Sequence, residues 1–185
     1  MPDIFLDHFY LRTIKKIDAK DMFEYGSDPL VTQFLNWGPF NQMKEAKKSI
    51  TQIFFPRIKA GLPIGYAIID LETSKMIGTI DFHSKIKGEH GAEIGFALNR
   101  HFWNQGIMTE ALSAMLHIGF NHLGYEFIRI RHLKQNQASK KVIEKNGFKY
   151  IKIEPYILEK ATGIIKDELL TYELYKEDYH GNQQS

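Results

Sequence analysis

The segment with the clearest capacity for chemistry is a glycine-containing loop that precedes a helix. Residues 103–109 are Trp-Asn-Gln-Gly-Ile-Met-Thr, after an alternating apolar strand and before a helical pattern. The glycine at position 106 lets a ligand approach the backbone closely, and the N–H groups that follow lie at the positive end of the helix dipole. Such a helix start attracts phosphate, so the loop predicts a local anion site. The alternative is an ordinary strand-to-helix turn that contains a glycine.

A second segment, residues 136–148, combines helix-end signals with a polar side chain on the helix. Asn136 is the expected N-cap, and Gly147 is the expected left-handed residue after the last turn. Ser139 lies three residues before Val142 and shares its inward-facing stripe. The alternative to a chemical role is a buried serine whose hydroxyl is bonded to a carbonyl one turn back.

Two titratable residues on predicted strands are candidates for proton transfer. Glu93 opens a strand and projects from the face opposite to Ile94. His132 ends the next strand, and the imidazole group titrates in the range that suits a general base. The alternatives are a solvated strand-end carboxylate paired with a lysine at Glu93, and a chance location at His132, because the chain has eight histidines.

Composition limits the classes of protein that this chain can represent. Its 185 residues, 43% hydrophobic and 13% aromatic, can bury one core, so we expect a single domain over residues 1–179 and a flexible tail at 180–185. A net charge of +2 gives no general field for nucleic acid or membrane, and the absence of cysteine excludes disulfides and thiolate chemistry. Without an apolar run of spanning length or a secretory leader pattern, we expect a cytoplasmic protein.

The hydrophobic pattern alternates strands with helices. Helices are predicted after an N-cap at Asp18, over residues 43–59, from Gly106 onward and over 137–146, and residues 28–39 should pack as an irregular segment. Strands are predicted at 9–14, 64–71, 76–83, 92–98, 127–132, 148–153 and 169–175. This order favours an α+β architecture with a mixed sheet flanked by helices.

The loop at 103–109 and the segment at 136–148 together resemble the acyl-coenzyme A binding motifs of the GNAT N-acetyltransferases. The resemblance is closest to the branch that contains the ribosomal-protein N-terminal acetyltransferases, and it extends to a closing hairpin that includes Asp167 and Tyr172. It implies the single-domain GNAT fold, whose central sheet is mixed and mostly antiparallel. Asn104 and Met108 depart from the usual pattern, which has a glycine and a small residue at these positions.

The resemblance implies acetyl-coenzyme A as co-substrate and no metal. In the family, the loop holds the pyrophosphate, and the pantetheine arm pairs with the exposed backbone of a strand that splays away from its neighbour. Asn136 would bond the pantetheine or the substrate side of the cleft, and Lys140 would meet phosphates unless it is only part of a solvated helix face. The complete predicted cofactor set is Phe96, Ala97, Leu98, Trp103, Asn104, Gln105, Gly106, Ile107, Met108, Thr109, Asn136, Ser139 and Lys140.

The resemblance also implies direct transfer of acetyl to a primary amine. Ser139 would protonate the departing thiolate, Glu93 would be the first candidate for general base, and His132 the second. Phe34, Trp37 and Phe40 are predicted to line the acceptor site, with core packing as the alternative.

The acceptor would be a protein N-terminal α-amine or a small-molecule amine. No nucleic acid or membrane partner is expected, and the protein would be a monomer or homodimer. A non-catalytic sensor of acyl-coenzyme A is the rival interpretation. Such a sensor would need the loop but not Ser139 or a titratable Glu93.

Overall fold

The computed structural model describes residues 3–59 and 65–181. The helical segments comprise α-helices, two π-helical stretches at Ser49–Phe54 and Ile118–His122, and short 3-10 turns at Lys16–Asp18, Arg100–Phe102 and Lys176–Asp178. The α-helices are Ala19–Gly26 (α1), Pro29–Thr32 (α2), Met43–Lys48 (α3), Phe55–Lys59 (α4), Ile107–His117 (α5) and Gln137–Lys145 (α6). The strands are Ile4–Phe5 (β1), Phe9–Thr13 (β2), Tyr66–Asp70 (β3), Met76–Lys85 (β4), Gly91–Leu98 (β5), Phe127–Leu133 (β6), Lys149–Lys160 (β7) and Gly163–Tyr175 (β8).

The strands form one mixed sheet in the order β1-β2-β3-β4-β5-β6-β8-β7. The pairs β1–β2, β2–β3, β3–β4, β6–β8 and β7–β8 are antiparallel, whereas β5 and β6 are parallel. A parallel pair needs a crossover between its strands, and α5 lies in the connection from β5 to β6. The predicted α+β class with a mostly antiparallel sheet is therefore confirmed.

The chain forms two compact units. Unit 1 comprises Met1–His83 and Phe96–Ile107, and unit 2 comprises Ser84–Gly95 and Met108–Ser185, in each case as far as the structure describes them. The core of unit 1 joins α1, α3 and the first π-helical stretch to β3 through residues such as Tyr25, Ile50 and Ala67. In unit 2, α5 buries one stripe that includes Ala111 and Met115, as its apolar pattern predicts.

The segment that was expected to be irregular is packed through its aromatic side chains. After the short helix α2, the Trp37 ring stacks on Phe40 at 5.2 Å between centroids and meets the edge of Tyr25 at 6.4 Å. Phe40 is buried, and Trp37 and Phe34 are half-buried. The predicted packing is confirmed, and the helical turn at α2 was not foreseen.

Several details of the predicted elements differ from the structure for identifiable reasons. Asp18 directly precedes α1 as predicted, but its side chain does not cap the helix, because its carboxylate instead accepts hydrogen bonds from Arg12 at 2.7 and 2.8 Å and from the Lys15 amide at 2.7 Å. The predicted helix at 43–59 is helical throughout but contains a π-helical stretch. The short strand β1 was missed, and the start of the strand predicted at 64–71 lies outside the described residues.

The closing pair of strands is longer than predicted. β7 continues to Lys160 and β8 begins at Gly163, so the hairpin turns at residues 161–162. Its outer half is exposed, with apolar side chains such as Ile157 and Ile164 in solvent, and such residues carry no alternating burial signal in the sequence. The tail predicted at 180–185 lies mostly outside the described residues.

Candidate active site

The loop before α5 presents a row of backbone N–H groups. Asn104 and Gly106 have φ angles of 61° and 84°, and α5 begins at the next residue, Ile107. No described group accepts a hydrogen bond from the backbone N–H groups of residues 105–109. The first amides of a helix have no partner within the helix, so this arrangement suits a phosphate oxygen. Asparagine tolerates the left-handed conformation, which explains why a glycine is not needed at position 104.

Side-chain hydrogen bonds hold this loop against the end of β5. The indole N–H of Trp103 donates to the carbonyl of Leu98 at 2.8 Å, and the side-chain amide of Gln105 donates to the carbonyl of His101 at 3.0 Å. Asn99 caps the intervening 3-10 turn by accepting a hydrogen bond from the His101 amide at 3.1 Å. Trp103 and Gln105 therefore stabilise the loop conformation through their side-chain hydrogen bonds, in addition to any contact that they make with a ligand.

The last residues of β5 are the predicted backbone partners of the pantetheine arm. Ala97 and Leu98 are buried and Phe96 is half-buried. In unit 2, the register between β5 and β6 covers only Gly91–Glu93, although β6 continues to Leu133 in register with β8. Pairing between β5 and β6 therefore stops early, as it must if the two strands splay apart in the way that the family resemblance implies. The contact of pantetheine with β5 stays a prediction.

Helix α6 begins as its sequence predicts. Asn136 Oδ1 accepts a hydrogen bond from the Ser139 amide at 3.1 Å, and Gly147 has a φ of 81° after the last turn. Ser139 is half-buried, and its hydroxyl has no hydrogen-bond partner among the described residues. The interpretation of Ser139 as a serine bonded to a carbonyl one turn back is therefore wrong. Lys140 is half-buried and lies 3.7 Å from Glu144, one turn along the helix.

Glu93 is paired with an arginine that the sequence reasoning did not consider. Arg131 Nε donates to Glu93 Oε1 at 2.7 Å, and the Glu93 side chain is only 12% exposed. Ile94 is buried on the opposite face, as the strand alternation predicts. The observed ion-pair partner is thus an arginine, and protonation of Glu93 would break its ion pair with Arg131.

His132 is buried and presents one unused nitrogen. Its Nδ1 lies 2.8 Å from the carbonyl oxygen of Leu133, which fixes Nδ1 as the donor and leaves Nε2 as an acceptor. Nε2 is buried and has no hydrogen-bond partner among the described residues. Burial lowers the pKa of His132, and the neighbouring Lys140 cation lowers it further, while the Leu133 carbonyl opposes this effect. The side chain is therefore a neutral imidazole whose free lone pair can accept a proton.

Tyr172 and Asp167, the two residues of the closing hairpin that match the family pattern, make different contacts near His132. The ring of Tyr172 stacks on His132 with 5.4 Å between centroids and 27° between planes. Asp167 lies just beyond the C-terminal end of β6, where its carboxylate accepts hydrogen bonds from the Gln135 amide at 3.2 Å and the Glu168 amide at 2.8 Å. Tyr172 thus contacts a candidate catalytic residue, whereas Asp167 orders the turn before α6.

Arginines on β6 were missed in the sequence, although a signal for them was available. Arg129 and Arg131 alternate with apolar residues, so both project from the face that carries Glu93. Arg129 binds Glu173, whose other oxygen accepts a hydrogen bond from the Tyr175 hydroxyl at 3.0 Å. Within the part of the chain that is described, no cluster of three or more histidine or carboxylate side chains could hold a metal, and no helix is long and apolar enough to cross a membrane.

Comparison with known proteins identifies the family. A family profile described as an acetyltransferase (GNAT) domain matches residues 8–149. The uncharacterized N-acetyltransferase p20 of Bacillus licheniformis is 32% identical over 183 residues, which are 98% of this chain and 100% of that protein. The alternative of a non-catalytic sensor gains no support, because the relatives are named as N-acetyltransferases.

Solved structures share the fold. A GNAT-family acetyltransferase from Bacillus anthracis superposes with a TM-score of 0.79 at 23% identity, over 95% of this chain and 99% of that one. A ribosomal-protein-S5-alanine acetyltransferase from Vibrio fischeri superposes with a TM-score of 0.77 at 19% identity, over 97% of this chain and 99% of that one. With the profile match and the relative at 32% identity, these findings place the chain in the GNAT family of acetyl-coenzyme A-dependent N-acetyltransferases.

Proposed function

We propose that this protein transfers acetyl from acetyl-coenzyme A to a protein N-terminal α-amine by direct attack in a ternary complex. The neutral amine attacks the thioester carbonyl, the new C–N bond forms, and the C–S bond breaks to release coenzyme A as its thiol. One proton leaves the amine and one proton reaches the thiolate, so no covalent enzyme intermediate and no metal are needed.

The observation that carries this proposal is the set of unbonded N–H groups from Gln105 to Thr109 at the start of α5. These amides would receive the pyrophosphate of coenzyme A, as the predicted loop site requires. The positive φ angles of Asn104 and Gly106 support this role, because they turn the chain directly before the helix and expose its amides. Trp103 would then act by holding the loop through its hydrogen bond to Leu98.

Ser139 is proposed as the acid for the departing thiolate. Its hydroxyl is half-buried and not committed to any described partner, so its proton can be donated. Asn136 positions this residue by capping α6 through the Ser139 amide, and its side-chain N–H group can also donate to the pantetheine. Lys140, on the next position of the helix, is available to an anionic phosphate in addition to Glu144.

His132 is proposed as the proton acceptor, ahead of Glu93. The neutral imidazole has Nδ1 fixed by the Leu133 carbonyl and an unpartnered Nε2, so it can accept a proton without breaking an existing bond. Glu93 would have to give up its pairing with Arg131. We therefore assign Glu93 the role of orienting Arg131 and keep it as the second candidate for the base.

The choice of a protein N-terminus as acceptor rests on similarity to the Vibrio fischeri ribosomal-protein-S5-alanine acetyltransferase. The half-buried rings of Phe34 and Trp37 support an acceptor wall in unit 1, while the buried Phe40 supports Trp37 from behind by stacking. A cytoplasmic enzyme, monomeric or homodimeric, is the setting that we expect for such a substrate.

Mass spectrometry tests the reaction directly. Purified protein is incubated with acetyl-coenzyme A and a library of free-N-terminus peptides and small primary amines, and acetylated products and free coenzyme A are quantified together. We expect an acetylated peptide N-terminus, with loss of product in the Ser139→Ala variant. Binding of coenzyme A without any acetylated product would instead support a sensor, and acetylation of small amines alone would exclude the protein substrate.

A further inference from the structure

Unit 1 contains a group of buried polar side chains that the chemistry described above does not use. The group consists of Tyr25 on α1, Arg57 on α4 and Asp81 on β4, and we call it the Asp81 cluster. Asp81 and Tyr25 are both buried, whereas the Arg57 side chain is 27% exposed. A buried carboxylate and a buried phenol are costly unless each is hydrogen-bonded, so their partners decide what the group does.

The carboxylate of Asp81 is only half satisfied. Arg57 donates to Asp81 Oδ2, and no described residue donates to Oδ1. Burial raises the pKa of Asp81, and the Arg57 cation opposes this effect. The Arg57 guanidinium in turn lies 5.9 Å from the centre of the Phe54 ring, which holds the cation in place. One carboxylate oxygen is thus left as an acceptor without a donor.

The phenol of Tyr25 is a second group that lacks a partner. Tyr25 is 1% exposed, and no described group meets hydrogen-bond geometry with its hydroxyl. Burial raises the pKa of Tyr25, the nearby Thr79 hydroxyl opposes the rise, and the Asp81 charge adds to it. Thr79 and Asp81 project from the same face of β4, two residues apart. The phenol and the half-satisfied carboxylate therefore both lie near this face of β4 in unit 1.

The surroundings of these two groups suit a ligand that donates hydrogen bonds from nitrogen. An ionised Asp81 can only accept, and the Tyr25 oxygen can accept as well. The Trp37 ring meets the edge of Tyr25, so aromatic surface lies beside the phenol, and acceptors next to aromatic surface favour amines and ammonium groups. Gly65 packs closely against both Asp81 and the Phe54 ring, since an added Cβ would lie 3.2 Å from the Asp81 Cβ and 2.4 Å from the ring.

We propose that the Asp81 cluster binds the primary amino group of the acceptor, with the nitrogen donating to Asp81 Oδ1 and to the Tyr25 hydroxyl oxygen. This inference rests on the proposed function for the identity of the ligand, and it names the residues that select an amine. Arg57 is a positioning residue, since it orients the carboxylate and its charge favours the ionised form. Asp81 and Tyr25 determine specificity, because each provides a hydrogen-bond acceptor that is paired only when an amine is bound.

The decisive variant is Tyr25→Phe, because it removes only the unpaired oxygen. A buried hydroxyl without a partner destabilises the folded state, so we expect the melting temperature to rise by roughly 2–4 °C. The same variant should bind the amine more weakly. Dissociation constants are measured by ligand-observed NMR with two probes, n-butylamine and an alanine pentapeptide with a free N-terminus, and the N-acetylated pentapeptide serves as a control ligand.

We expect Tyr25→Phe and Asp81→Asn to weaken binding of at least one probe about tenfold, with coenzyme A affinity unchanged, as the loss of one hydrogen bond predicts. Glu24→Gln, an exposed carboxylate change on the same helix, should leave all values at the wild-type level. The site is overturned if Tyr25→Phe lowers the melting temperature, if the variants bind the probes like wild type, or if neither probe binds to a wild-type protein that binds coenzyme A. Failure of coenzyme A binding alone would refute the proposed function and would leave the probe measurements to decide the amine site.

Discussion

Replacement of Gly106 by alanine tests the phosphate site most directly. Gly106 has a φ of 84°, a conformation that costs a residue with a Cβ roughly 1–2 kcal/mol. The variant should therefore lose about 1–2 kcal/mol in the free energy of unfolding. If the loop also relaxes away from this conformation, its amides will no longer converge on a phosphate.

The expected loss of cofactor affinity follows from the hydrogen bonds involved. A hydrogen bond to a charged group contributes about 1.5–3 kcal/mol, so misalignment of one amide should weaken coenzyme A binding about ten- to a hundredfold. Pantetheine lacks the pyrophosphate, and its affinity should not change. Isothermal calorimetry with both ligands separates loss of the phosphate contact from a general loss of the binding site.

Gly88 provides a matched control for the backbone effect. It has a φ of 78° and no atom within 4 Å of the position that a Cβ would occupy. Gly88→Ala should lose about the same unfolding free energy, roughly 1–2 kcal/mol, and bind coenzyme A like wild type. Wild-type coenzyme A affinity in folded Gly106→Ala protein, or an equal loss in both variants, would refute the assignment of the pyrophosphate to this loop.

Further predictions concern the proton-transfer residues. Ser139→Ala should lower the turnover number about a hundredfold and leave coenzyme A affinity unchanged, because the leaving-group proton matters in the transition state. Steady-state kinetics measures the turnover number and calorimetry the affinity, and an unchanged turnover number would contradict the role of Ser139. Activity should rise with pH as the acceptor amine loses its proton. In pH–rate profiles, His132→Gln should alter this rise and Glu93→Gln should not, and the reverse result would identify Glu93 as the base. Because burial lowers the pKa of His132, the unfolded chain binds this proton more readily, so unfolding free energy should fall as pH drops below about 6.5. Urea titrations at about pH 7.5 and about pH 5.5 should show a smaller fall in His132→Gln than in wild type.

The features that were predicted well depend on local backbone chemistry. Gly106 and Gly147 both adopt positive φ angles, and Asn136 caps α6, because these residues act within one turn of their own position. The mixed sheet follows from the order of strands and helices. Such signals are readable in one sequence because neighbours along the chain supply the partners.

The features that were missed depend on partners distant along the chain or on competition between partners. Asp18 has the sequence signature of a cap for α1, but the guanidinium of Arg12 is a stronger partner for its carboxylate than a helix amide. The length of the β7–β8 hairpin is set by backbone pairing between Lys160 and Gly163, and its exposed side chains give no burial pattern from which that length could be inferred.

The assignment of the base shows how strand register controls chemistry. Glu93 pairs with Arg129 in the parallel ladder, which brings the next arginine on the same face, Arg131, onto its carboxylate. A shift of one residue in this ladder would turn the facing strand over, and Glu93 would meet apolar side chains instead. His132 projects from the opposite face for the same reason, and is therefore buried away from both arginines with its Nε2 unpaired. The alternation of β6 thus gives one candidate a cation and leaves the other a free lone pair, which is why the two variants should differ in their pH profiles.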